Sequence, residues 1–158
     1  QCQQLPREAV YFCDQYRYAA GIIPEAHLCT AYSAMDVLLN PSSGEGFGIP
    51  IVEAQACGTP VIVTDFTAMS ELCGAGWKVQ GQRIWTAQAS WQMVPDVDEI
   101  DAALENAWQH RGDTDLQTEA QRFALQYDAQ RVAERYWKPV LMDIEQRIKP
   151  AELKLVRF

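Results

Sequence analysis

Asn40–Val63 reads NPSSGEGFGIPIVEAQACGTPVIV, with Glu45 between glycines at the end of one apolar run and Glu53 eight residues further on. Upstream, Met35–Leu39 (MDVLL) is an apolar run of strand length. Downstream, Val61–Val63 is a second, and about ten helix-compatible residues separate the two. The segment predicts a strand, a helix and a second strand. Gly44, Gly46 and Gly48 allow backbone conformations closed to other residues and close approach of a ligand. Pro50 suits the first turn of a helix, and Gly58 with Pro60 stops it. The N–H groups of residues 47–52 then collect at a helix N-terminus beside a strand end, an arrangement that attracts anions and above all phosphate.

Working outward, the alternation continues. Ala9–Cys13 (AVYFC) is a candidate strand. Glu25–Ala34, entered through Pro24, is a candidate helix with Leu28, Ala31, Tyr32 and Met35 on one face. A short helix near Ala68–Cys73 and a strand at Trp77–Val79 follow. This order predicts an α/β fold, a Rossmann-like doubly wound parallel sheet, with ligands at the carboxyl ends of its strands. The last third reads as helices. Ile100, Ala103, Leu104, Ala107 and Trp108 form one stripe, and Leu116, Ala120, Phe123, Ala124 and Tyr127 another. A third stripe, Ala133, Tyr136, Trp137, Val140, Leu141, Ile144 and Ile148, crosses Pro139, where a kink is expected. These aromatics read first as core packing. Gly81–Pro95 reads as a polar loop carrying Trp85 and Trp91, with aromatics able to stack on a sugar or another domain.

The quoted residues resemble the E-x7-E signature of retaining, nucleotide-sugar-dependent glycosyltransferases of GT-B architecture, the family called glycosyl transferases group 1. The likeness lies in the composite of strand, PSSGEGFG, EAQACGTPV and second strand, and is strongest over 21–79. It implies a C-terminal donor-binding domain of a two-domain hexosyltransferase using a UDP- or GDP-linked sugar. Residues 1–148 would form that single domain, 149–158 a tail, and the N-terminal acceptor-binding domain would lie outside this chain, leaving it inactive alone. Carried over from the family, Glu45 would be catalytic, meeting the donor sugar and its developing positive ring. Gly46, Phe47, Gly48 and Ile49 would hold the sugar and diphosphate, with the Ile51 amide also aimed at the phosphates, and Glu53 would accept from the ribose hydroxyls. No metal or other cofactor is implied. Where the family usually places a basic Arg and Lys pair on the diphosphate, only Arg7 precedes the first candidate strand, and it does not match that motif. A non-catalytic nucleotide-binding module and a nucleotide-sugar isomerase of the same fold remain as alternatives.

Other polar residues read as follows. Ser42 and Ser43 could touch sugar or phosphate but suit simple turn chemistry. Asp65, Ser70 and Glu71 could rim the cleft, with Thr67 or Ser70 expected to cap the next helix. Gly21–Pro24 corresponds to the family segment that leads toward the nucleobase. Neither His27 nor His110 has a nucleophile or carboxylate at useful spacing.

Composition sets bounds. The chain has 158 residues, 48% of them hydrophobic, enough for one domain with a sizeable core. A net charge of -8 argues against nucleic acid or an anionic bilayer as main partner. Five cysteines, at 2, 13, 29, 57 and 73, are odd in number and lack Cys-x-x-Cys spacing, so they read as mostly buried apolar side chains rather than a metal site or disulfide framework. With no apolar run of spanning length and no signal peptide, the expectation is a soluble, cytoplasmic protein without membrane insertion.

Overall fold

A computed structural model describes residues 9–148. Cys2, Arg7 and the expected tail at 149–158 lie outside the described residues. The elements, in order, are α1 (Gln15–Ala19), α2 (Glu25–Ser33), β1 (Leu38–Asn40), α3 (Ile49–Ala56), β2 (Val61–Thr64), α4 (Ala68–Leu72), β3 (Gly76–Val79), β4 (Gly81–Trp85), β5 (Trp91–Pro95), α5 (Val97–Gln109), α6 (Thr114–Ala124), α7 (Ala129–Val132) and α8 (Lys138–Arg147).

Strands β1, β2 and β3 form a parallel sheet in that order, with Leu39 opposite Ile62 and Ile62 opposite Trp77. The central strand VIVT is buried at every position, as a parallel strand covered on both faces must be. Its side chains alternate between two cores. Val61 and Val63 join Tyr32, Ile51, Ala54, Met69 and Leu72 beneath α2, α3 and α4. Ile62 points the other way, to Val79, Ala103 and Ala107, the last two on α5. The expected α/β, Rossmann-like architecture is therefore present, with helices on both faces of the sheet.

Gly76 opens β3 at φ +135°, and a Cβ there would lie 1.9 Å from the carbonyl oxygen of Val61. Only glycine permits that close pairing of β3 with β2. The buried side chain of Gln55 joins α3 to the turn before β3. Its Nε2 donates to the carbonyl oxygens of Ile51 (2.9 Å) and Leu72 (2.7 Å), and its Oε1 accepts from the amides of Gly74 (2.9 Å) and Ala75 (3.0 Å). Both hydrogens of the amide are used, so its burial is compatible with a stable core.

Several expectations need correction. Ala9–Cys13 forms no strand: it runs without a ladder, with Tyr11 90% and Phe12 89% exposed. A short apolar run supplies propensity, but a strand needs a paired neighbour, and among the described residues none pairs with it. The strand expected from Met35 begins at Leu38, because Met35 still donates its amide to Tyr32 at the end of α2 (3.0 Å). On α2 only Tyr32 of the predicted face is buried. Gly81–Pro95 is an antiparallel hairpin, not a loop: Trp85 pairs with Trp91, and the Thr86 amide donates to Ser90 across the turn (3.0 Å).

The third helical stripe is also not core. Tyr136, Trp137, Val140, Leu141 and Ile144 are all exposed, and neither α7 nor α8 buries a residue. The break expected at Pro139 falls just upstream, where Ala133–Trp137 widens into a π-turn and Pro139 enters α8 in its first turn. A proline has no N–H and its ring crowds the carbonyl four residues earlier, so the turn before it opens. The stripes of α5 and α6 do bury Ala103, Ala107, Ala120 and Ala124. Each of these helices starts on an aspartate, Asp96 and Asp113, whose carboxylate accepts from two amides of the first turn.

The cysteines are less buried than expected. Cys13 and Cys29 are exposed, and Cys57 and Cys73 are half-buried.

Candidate functional site

The loop between β1 and α3 carries the candidate site. Gly48 sits at φ +98° as the residue before α3, and the left-handed step turns the chain so that residues 46–49 wrap the helix N-terminus. Among the described residues the amides of Gly46, Phe47, Gly48 and Ile49 donate to no protein acceptor. The Ile51 amide is different. It donates to the Gly48 carbonyl at 3.0 Å, which removes it from the ring of amides expected to face an anion.

Glu45 is half-buried and held from two directions. The Ser42 hydroxyl donates to Glu45 Oε1 at 2.8 Å and also lies 2.9 Å from Asn40 Oδ1. A hydroxyl has one proton, and the carboxylate is the stronger acceptor. The Glu45 amide donates to Thr67 Oγ1 at 3.0 Å, and that hydroxyl donates in turn to the Phe66 carbonyl at 2.8 Å. Thr67 stands at φ 52°, ψ -144°, an unfavourable conformation for a β-branched residue. It is the residue before α4, yet its side chain makes no cap bond to that helix, so the capping expectation for Thr67 gives way to a role in holding Glu45. The neighbouring Ser70 hydroxyl, followed by the Gln80 amide that donates at 2.8 Å, holds the Asp65 carboxylate below its ordinary range.

Glu53 lies within α3. The Tyr32 hydroxyl donates to its Oε2 at 3.1 Å, and burial together with this carboxylate pushes the Tyr32 phenol up to about 12. Glu53 also lines a cleft of about 420 Å³ with Val52, Gln121, Leu125, Tyr127 and Asp128. The Phe47 ring meets Tyr127 edge-on at 5.9 Å, so the glycine loop and this cleft share a wall. The two acids share no hydrogen-bond partner among the described residues: Glu45 meets Ser42 and Thr67, and Glu53 meets Tyr32 on α2.

The hairpin reaches the same mouth. The Met93 amide donates to the Ser43 carbonyl at 2.9 Å, and the Arg83 guanidinium stands over the Phe66 ring at 5.4 Å. Trp85 and Trp91 pack edge-to-face at 5.3 Å and remain more than half exposed at its tip. His110 closes α5, its Nδ1 2.8 Å from the Asn106 carbonyl oxygen, and His27 lines an apolar pocket with Ile23, Pro24, Phe12 and Leu28, away from Glu45. Among the described residues no group of three or more His, Cys, Asp or Glu could hold a metal ion. Nor is any helix there long and apolar enough to cross a membrane.

Sequence reading missed Thr67, Tyr32 and Tyr127 as neighbours of the site. Each is supplied by a separate element, and no spacing in the chain links them to Glu45, Glu53 or Phe47.

A parallel α/β sheet with helices on both faces, whose first crossover helix starts on amides that have no protein acceptor among the described residues, defines a Rossmann-like domain. The particular family follows from comparison with known proteins: residues 6–109 match Glycosyl transferases group 1, and the chain belongs to that family. It is 34% identical over 118 residues to a D-inositol 3-phosphate glycosyltransferase of Corynebacterium urealyticum, covering 72% of this chain and 26% of that protein. It is 41% identical over 54 residues to an O-antigen chain mannosyltransferase B of Escherichia coli, covering 34% and 14%. A lipopolysaccharide core biosynthesis mannosyltransferase of Rhizobium meliloti is 44% identical over 50 residues, covering 32% and 14%. The chain thus spans between 14% and 26% of the length of these curated relatives.

Proposed function

We propose that this chain is the donor-binding domain of a retaining hexosyltransferase that takes its sugar from a UDP- or GDP-linked donor, with an acceptor-binding domain supplied by a further part of the protein. The observation that carries the reading is the set of unpartnered amides at residues 46–49, turned by Gly48 onto the start of α3.

Cleaving the bond between the anomeric carbon and a diphosphate leaves negative charge on the phosphate and positive character on the ring. The Phe47, Gly48 and Ile49 amides are preorganised for the first, at the positive end of the α3 dipole. Glu45, held by Ser42 and Thr67, supplies a carboxylate for the sugar hydroxyls and the ring. Glu53 offers its Oε1, and Oε2 once Tyr32 yields, to the ribose diol. The proposal asks for no metal ion. The hexoses named for two relatives are mannose, and this chain's own sugar is taken from the same class of hexoses.

Titration calorimetry of the chain with UDP and with GDP tests the reading. Heat of binding is expected with one of them, and Glu53→Ala is expected to remove most of it. A folded chain that binds neither refutes the proposal. In the full-length enzyme, Glu45→Ala is expected to depress turnover far more than nucleotide affinity, and equal losses would reduce Glu45 to a binding residue.

A further inference from the structure

Away from the amide ring, two thiols meet between helices. Cys29 Sγ on α2 lies 3.6 Å from Cys57 Sγ, which closes the C-terminal end of α3. Cys29 is exposed and Cys57 half-buried, so a small molecule can reach the first sulfur and the second waits beside it. The two residues are 28 positions apart, in elements that contact one another directly. Cys13 and Cys73 have no such neighbour among the described residues.

We propose that Cys29 and Cys57 form a thiol–disulfide exchange site, oxidised by low-molecular-weight disulfides of the glutathione type to a bond that clamps α2 to α3. The Cys29 thiolate attacks one sulfur of the small disulfide, forming a mixed disulfide and releasing one small thiolate, which takes up a proton. The Cys57 sulfur, having lost its proton to solvent, then attacks Cys29 Sγ and displaces the second small thiol. Two protein thiols are oxidised and one small disulfide is reduced to two thiols. The greater exposure of Cys29 assigns the first attack to it, and burial, followed by the neighbouring Cys29, pushes the Cys57 thiol up. Closing the sulfurs from 3.6 Å to the roughly 2.05 Å of a disulfide asks for side-chain rotation and a small approach of the helices.

The bond would lie one helical turn from the Tyr32–Glu53 contact, since Cys29 precedes Tyr32 by three residues and Cys57 follows Glu53 by four. The oxidised chain therefore holds α2 and α3 together at that flank without relying on the hydroxyl alone.

The test is treatment of the 158-residue chain with oxidised glutathione, then alkylation, cleavage after glutamate and peptide mass analysis. Cleavage after Glu45, Glu53 and Glu71 places Cys29, Cys57 and Cys73 on three separate peptides. The expected product joins the Cys29 and Cys57 peptides, is reversed by dithiothreitol, and raises the thermal midpoint of the chain by several degrees. Cys29→Ser and Cys57→Ser, each checked for folding by circular dichroism, should abolish the cross-link, and Cys13→Ser should keep it. Stable glutathione adducts without a cross-link, or a cross-link between any other pair, would overturn the proposal. Because the readout is covalent, it stands or falls separately from nucleotide binding.

Discussion

Replacing Gln55 by leucine keeps a side chain of similar size in a fully buried site but removes four hydrogen bonds at once. The amide of Ala75 would be left without a partner, while the Gly74 amide and the Leu72 carbonyl keep the 3.1 Å bond that joins them and lose only their bonds to Gln55. A buried polar group left unpaired costs about 1–3 kcal/mol and a net hydrogen bond lost elsewhere about 0.5–1.5 kcal/mol, so the replacement costs roughly 2–4 kcal/mol in all. Against a total stability of order 5–15 kcal/mol, that is a large share. Urea unfolding followed by circular dichroism should show a much lower midpoint with an unchanged slope. Gln55→Glu separates polarity from packing. It keeps an acceptor for Gly74 and Ala75 but turns an oxygen toward the carbonyls of Ile51 and Leu72. Burial and those carbonyls would raise the introduced acid above its unfolded value of about 4.3. The folded state then binds the extra proton. Relative to wild type, this variant loses stability as pH rises above about 4.3 and regains it as pH falls. A loss below about 1 kcal/mol for Gln55→Leu would refute the account of this amide as the tie between α3 and β3.

The Tyr32 phenol is pushed above its ordinary 10 to about 12, so the folded state retains a proton that the unfolded chain releases. That contribution is complete below pH 10 and fades as pH climbs from 10 to 12. Wild type should lose urea resistance over that window, and Tyr32→Phe should show a shallower decline. Thr64 Oγ1 is buried and has no hydrogen-bond partner among the described residues. Thr64→Val should therefore raise stability by about 1 kcal/mol in the same assay, and a loss of that size would reveal a partner for the hydroxyl. Gly76→Ala would drive a methyl into the Val61 carbonyl at a positive φ, and should cost about 3 kcal/mol or more, read as a drop in thermal midpoint; a neutral result would contradict the β2–β3 pairing.

The fold was legible where burial and local chemistry agree. The run Val61–Val63 is apolar throughout and belongs to a strand covered on both faces, and Pro50 with Gly58 marked the helix between β1 and β2 to within two residues. It was illegible where a segment depends on partners far along the chain. Tyr11 and Phe12 look like strand residues and find no ladder, while Trp85 and Trp91 looked like loop aromatics and found each other across a hairpin. The same division holds at the site. Glu45, Gly48 and Glu53 could be picked from the local pattern, and the loop conformation that Gly48 needs was expected. That the Ile51 amide is already engaged follows only from the pitch of the first turn. That Thr67 and Tyr32 grip the two acids depends on tertiary approach, which no spacing encodes.

The hairpin stands on two fixed feet, the Met93 amide on Ser43 and the Asp96 amide on Gln80. Among the described residues its far end, from Thr86 to Ser90, hydrogen-bonds only within itself. Such a cantilever separates what must stay from what can drift. Residues near the supports steady the glycine loop, whereas the overhanging turn can lengthen, shorten or change its aromatics without disturbing the sheet beneath. Evolution could thus re-tailor the outer rim of the mouth while its floor is inherited intact.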